Sequence, residues 1–231
     1  MRIDLPQLNL KRAILCGVLL VVAAGLAREA YVLVFGQETA LRDLRQLSLN
    51  AEQNLASWYT SLLLALGALL AWVAGSCDTA KGRSTSRFWR LVAVLLLAAA
   101  ADETVSFHEV LTLFMPEVQA FSPLLHFAWV ALAVPLLAVL ALWCLPMMWR
   151  LPRVTFWGLV AAAFLFVGGA VGLEMIAGLI IDWAGEASIA YRVAYMLEDT
   201  FEMLGCAVFI LAVLGYIRGE TPSLELRLSS A

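Results

Sequence analysis

Residues 91–109 read Leu-Val-Ala-Val-Leu-Leu-Leu-Ala-Ala-Ala-Ala-Asp-Glu-Thr-Val-Ser-Phe-His-Glu. The run from Leu91 to Ala101 is wholly apolar, and Asp102, Glu103, His108 and Glu109 follow close behind it. Such a join places charge at the edge of, or inside, an apolar medium. An ionisable side chain in hydrocarbon costs roughly 2.5–3.5 kcal/mol even on the lenient insertion scale, unless it is paired, hydrated or bound to a metal.

The rest of the chain identifies that medium. Of 231 residues, 63% are hydrophobic and 14% are charged, against about 25% charged in soluble domains. The mean hydropathy is +0.88. A soluble core of this size cannot hide so much apolar surface, so the bilayer acts as solvent. The backbone must then satisfy itself, and runs this long and unbroken do so as helices. The expected fold is an all-α polytopic membrane protein. It is one domain over 1–231, a bundle of six transmembrane helices near 13–36, 55–76, 88–114, 123–147, 154–183 and 193–217. Each exceeds the ~20 residues that a crossing needs.

Lysine and arginine set the orientation. With the N-terminus inside, the cytoplasmic segments hold Arg2, Lys11, Arg12, Lys81, Arg83, Arg87, Arg90, Arg150, Arg153, Arg218 and Arg227, while the opposite side holds only Arg42, Arg45 and Arg192. The positive-inside rule predicts N-in, C-in. The N-terminus superficially resembles a signal peptide ending at Ala27. The apolar run continues past Arg28-Glu29 into Tyr31–Phe35, which reads better as an uncleaved first span. Residues 37–54 are the one sizeable external segment, with Leu41, Leu44 and Leu47 at three-residue spacing. That suits an amphipathic helix lying flat on the membrane or a polar loop. The stretch 78–87 reads as a polar cytoplasmic loop. Trp58, Trp89, Trp149, Trp157 and Trp183 read as interfacial anchors.

The ionisable residues come late in the first, third and fifth spans and early in the fourth and sixth. Successive spans run in opposite directions, so these groups share one leaflet, the outer one. The first span brings Arg28 and Glu29, and the third Asp102, Glu103, His108 and Glu109. The fourth brings His126, the fifth Glu174, and the sixth Glu198, Asp199 and Glu202. Asp182 belongs to head-group water. In a regular helix Asp102, Ser106 and Glu109 share a face, and Glu198 and Glu202 stack one turn apart.

Glu29, Asp102, Glu103, Glu109, Glu174, Glu198, Asp199 and Glu202 face Arg28 as the one fixed cation at their depth. Some acids are protonated, some face water, or a cation sits among them. Carboxylates with imidazole are the ligands of zinc, manganese and di-iron sites. The expected divalent metal (zinc, iron or manganese) is held by Asp102, His108, Glu109, Glu198 and Glu202. Glu174 serves as second-layer group or general base, and Arg28, Glu29, Glu103, His126 and Asp199 line the site. A structural network of protonated acids and a proton or cation pathway remain alternatives. The Glu-x-x-His spacing of di-iron bundles is absent, and the adjacent His108 and Glu109 diverge on a regular helix. Glu-Met recurs at Glu174-Met175 and Glu202-Met203, each followed by a glycine, which suggests close helix approach beside a glutamate.

Asp102-Glu103…His108-Glu109, Gly172-Leu173-Glu174 and Leu197-Glu198-Asp199…Glu202-Met203-Leu204-Gly205 resemble a group of uncharacterised bacterial multi-pass membrane proteins over the third to sixth spans. That resemblance implies the bacterial inner (plasma) membrane and carries no activity to any residue. Alkaline ceramidase and adiponectin-receptor-like zinc hydrolases need three histidines, and this chain has two. Both lysines, Lys11 and Lys81, lie on the cytoplasmic side, so no retinal-type lysine exists.

Three function classes follow. One is a metal-dependent membrane hydrolase or oxidoreductase acting on a lipid or quinone-like substrate. Another is a proton- or cation-coupled transporter. The uncharged cytoplasmic halves 13–24, 91–100 and 130–144 speak against a through-path. The last is an accessory subunit of a larger complex. The expected partners are membrane lipids, with another membrane subunit or a second copy. The basic residues are too few and too scattered for nucleic acid.

Overall fold

The structure is a computed structural model that describes residues 7–36, 44–51 and 53–220. The long helices are α1 (Gln7–Phe35), α2 (Leu55–Ala80), α3 (Ser86–Val105), α6 (Val130–Met148), α7 (Arg153–Val167) and α9 (Ile189–Glu220), with shorter α4 (Phe107–Leu113), α5 (Pro116–Phe121) and α8 (Glu174–Ala184). A π-helical turn, Gly168–Leu173, fuses α7 to α8 into one apolar run, Arg153–Ala184. Five helical runs are long and apolar enough to cross a membrane, and α3 with α4 makes a sixth if the bent pair is one span. This is the length and composition of a multi-pass membrane protein.

Local chemistry sets the breaks. Asn54 starts α2 through a capping box: its side chain accepts from Ser57 N–H at 2.8 Å, and Ser57 Oγ accepts from Asn54 N–H at 2.9 Å, a reciprocal pairing that satisfies two orphan donors. α3 stops at Ser106, whose φ of 58° and ψ of 45° are left-handed. The chain turns by 66° between α3 and α4. The straight third span expected over 88–114 is therefore two helices, and the face shared by Asp102, Ser106 and Glu109 does not exist.

Other boundaries move as well. The fourth helix begins at Val130, after a 3₁₀ turn at Pro123–Leu125, so His126 lies before the helix rather than inside it. Helix α2 runs on to Ala80, which takes Asp78 out of the expected loop. In the external segment, the described part is a 3₁₀ turn at Leu44–Leu47, and the rest of the expected flat helix lies outside the described residues.

Two packed regions hold the bundle. One joins Ile14, Val18 and Val21 of α1 to Leu63 and Leu64 of α2 and Met203, Cys206 and Ile210 of α9. The other joins Ala71 and Ala74 of α2, Phe88 and Trp89 of α3, Leu159 of α7 and Val213 of α9. Trp89 is fully buried there, so it is a core residue and not an interfacial anchor. Trp58, Trp149, Trp157 and Trp183 are exposed. Helix α6 packs sparsely, with Leu132, Leu136, Val139 and Leu142 on its exposed surface. In water that would be prohibitive, whereas in lipid it costs nothing.

Candidate functional site

The acid-bearing ends of the helices meet at one end of the bundle. Ser61 Oγ of α2 donates to the Ala100 carbonyl of α3 at 2.7 Å and lies 3.0 Å from Thr104 Oγ1. From α9, Arg192 reaches Glu29 of α1, Nη1 to Oε2 at 2.8 Å. Glu29 also pairs with its neighbour Arg28 and is 3% exposed. Arg192 is therefore a second cation at the acidic level, not the loop residue that the charge count assumed. Arg192 thus ties α9 to α1 through Glu29.

The bend at Ser106 decides the fate of His108. By turning the chain, it brings the His108 N–H onto Asp102 Oδ1 at 3.1 Å and His108 Nδ1 to Asp102 Oδ2 at 2.8 Å. One carboxylate thus closes the start of α4 and holds an imidazole. A carboxylate on one ring nitrogen fixes tautomer and ring orientation. The His108 ring lies 5.2 Å from the Trp129 ring, and Trp129 Nε1 donates to Glu174 Oε1 at 3.0 Å. Asp102, His108, Trp129 and Glu174 form a continuous line from α3 to α8. Trp129 was not foreseen; an indole N–H on an otherwise apolar stretch beside buried acids was the available signal.

Glu174 and Glu202 are both buried. The charges of Glu198, Glu186, Glu174 and Glu109 all act on the Tyr191 hydroxyl of α9, and those of Glu202 and Glu103 both act on the Cys206 thiol. The acids are neighbours in electrostatic terms. They are not gathered as ligands: among the described residues no three His, Cys, Asp or Glu side chains converge where one ion could sit. Of the five expected ligands, Asp102 and His108 bond each other, and Glu109 is exposed. The bend thus pairs His108 Nδ1 with Asp102 and leaves the five expected ligands ungathered among the described residues. His126 makes other contacts. Its backbone carbonyl accepts from Gln119 Nε2 at 2.7 Å, and its ring lies against Phe127.

Close approach beside glutamates takes an unexpected route. A Cβ on Gly169 would come within 2.9 Å of the Glu198 carbonyl and 3.1 Å of Glu202 Cγ, so the π turn presses directly on the acidic face of α9. Gly178, part of the Glu-Met echo, instead meets Pro123 and His126, and Gly205 meets Phe166.

A cavity of about 820 Å³ opens between α6 and the bundle, with Leu96, Leu137, Ala141, Val171, Gly172 and Cys206 among its almost wholly apolar lining. One end lies at the packed region around Phe88 and Met148. The other reaches the π turn, at Gly168, Val171 and Gly172, and Cys206 of α9.

The opposite end of the bundle holds a second polar cluster. Asp78 is fully buried. It accepts from Tyr216 Oη at 2.7 and 2.8 Å and from Thr85 Oγ1, and Arg83 lies 3.7 Å away. Arg83 and Lys81 both pair with Glu220, and the Glu220 carboxylate raises the affinity of the Arg83 guanidinium for its proton.

Residues 13–216 match the family described as Domain of unknown function (DUF8692). The chain belongs to that family. No curated protein and no solved structure matches it.

Proposed function

We propose that this DUF8692 member is a bacterial inner-membrane protein, N-in and C-in, that binds and acts on a lipid-like amphiphile. The tail lies in the apolar cavity and the polar head at its acidic end. The carrying observation is the meeting of the two at the π turn: Gly168, Val171 and Gly172 line the cavity, and Gly169 between them packs against Glu202, whose Cγ would lie 3.1 Å from a Cβ there. Its volume falls in the roughly 300–1,000 Å³ range of small-molecule sites, which pair apolar walls with a few polar groups. The Asp102–His108 pair supplies an oriented imidazole, the usual form of a proton-transferring group. The test uses a cavity-filling variant. A Cβ on Gly172 meets open space, so Gly172→Leu occupies the cavity without a backbone clash. Native mass spectrometry of the purified protein is expected to show a co-purifying amphiphile that Gly172→Leu lacks. A retained adduct in the variant overturns the assignment.

A further inference from the structure

The bend at Ser106 leaves α4 facing the wrong way for a helix in water. Phe107, Val110, Leu111 and Phe114 recur at i, i+3, i+4 and i+7, the spacing of one helical stripe, and all four are exposed. His108 and Thr112, one turn apart, form the half-buried side. His108 pairs with Asp102, and Thr112 Oγ1 accepts the Trp129 N–H at 3.4 Å. A surface helix of a soluble protein turns its apolar stripe to the core, whereas α4 turns its stripe out and its polar residues in. Helix α5 continues the apolar surface with Phe121, which is 86% exposed. Gln119 ties α5 back to the turn before α6 through the His126 carbonyl.

Position identifies what covers that stripe. Helix α3 has 20 residues and rises ~30 Å, the thickness of a hydrocarbon core. Asp102 and Glu103 near its end mark where it leaves hydrocarbon. A turn of 66° just beyond them carries the chain most of the way from the membrane normal to the membrane plane. The next crossing, α6, starts at Val130, so residues 106–129 begin and end on one membrane face.

We infer that α4 and α5 are an interfacial anchor, lying in the membrane surface at the acid-bearing end of the bundle with Phe107, Val110, Leu111, Phe114 and Phe121 among lipid acyl chains. The partner is the bilayer leaflet at that end. Amphipathic helices of this kind bury their apolar face about 5–10 Å into the boundary between head groups and acyl chains. The anchor also sets the depth of the Asp102–His108 pair, because His108 belongs to α4. Such an anchor requires neither the bound amphiphile nor the N-in orientation proposed above.

The experiment uses the full chain in phosphatidylcholine nanodiscs, with Cys16, Cys77 and Cys144 replaced by serine and buried Cys206 kept. Nitroxide labels are placed one at a time through Val110→Cys, Phe114→Cys and Phe121→Cys, and through Glu109→Cys and Glu117→Cys as polar references. Power-saturation spectroscopy compares collision with oxygen, which concentrates in lipid, and with a nickel chelate, which stays in water. The oxygen-to-nickel ratio is expected to be several-fold higher at the three apolar positions than at the two references, with depths of about 5–10 Å. Nickel access equal to that of the references places α4 in water and overturns the anchor. Depths near the bilayer centre make the segment re-entrant and overturn it too. Exclusion of both reagents means that protein covers the stripe, a second copy or another subunit, and also overturns it. A near-isosteric measurement stands beside the cysteine variants in case any fails to fold. A benzophenone-bearing phenylalanine in place of Phe114 is expected to cross-link to phospholipid, and cross-linking to a second chain alone overturns the anchor.

Discussion

Asp78 carries the heaviest structural demand of any single side chain described here. Its carboxylate is sealed from solvent and held by two hydroxyls from different helices. Removing a buried carboxyl group or its hydrogen-bond partners is costly, because the groups left behind cannot turn to water. Asp78→Ala is expected to lower stability by about 3 kcal/mol and Tyr216→Phe by about 1 kcal/mol. The temperature at which buried Cys206 becomes thiol-reactive, in a chain whose other cysteines are serine, reads both. Ser106 makes a sharper test. At φ 58° glycine is at ease and a β-branched residue is not. Ser106→Val is therefore expected to cost about 1–2 kcal/mol, with Ser106→Gly near neutral in the same assay.

Helix existence was legible from composition alone; helix continuity was not. The unbroken run Leu91–Ala101 announces a span, and six apolar stretches became the long helices with shifted ends. Nothing in Thr104-Val105-Ser106-Phe107 signals a break, since no proline or glycine stands there. The left-handed serine is supported by tertiary contacts and by the Asp102 clasp on His108. That missed bend separates Asp102 from the face expected to carry Glu109, because ligand faces were projected along a straight helix. The acidic level itself was legible, since charge position along successive spans is a property of sequence. Asp78 escaped notice because its partner Tyr216 lies 138 positions away. At the π turn, Gly169 admits α9 at backbone distance. Gly169→Leu is expected to cost about 1–3 kcal/mol, as overpacking does, and to displace Glu202. A lower temperature for Cys206 thiol reactivity in the assay above checks the cost.

At the scale of the molecule, charge and apolar surface divide the labour. Lysine and arginine bias predicts the orientation, and cysteine scanning checks it in a chain without native thiols. A membrane-impermeant maleimide is expected to label Glu186→Cys in intact cells and Ser84→Cys only after permeabilisation. The reverse pattern overturns the orientation. The Asp78 cluster also bears on where this chain can be shortened. Cut after Leu214, α9 would still exceed the ~20 residues that a crossing requires. It would nonetheless strip the buried Asp78 carboxyl group of its aromatic donor and abolish the anchor at Glu220 for Lys81 and Arg83. Bilayer thickness would permit the truncation and hydrogen bonding would forbid it, so fusion partners and purification handles belong beyond Glu220.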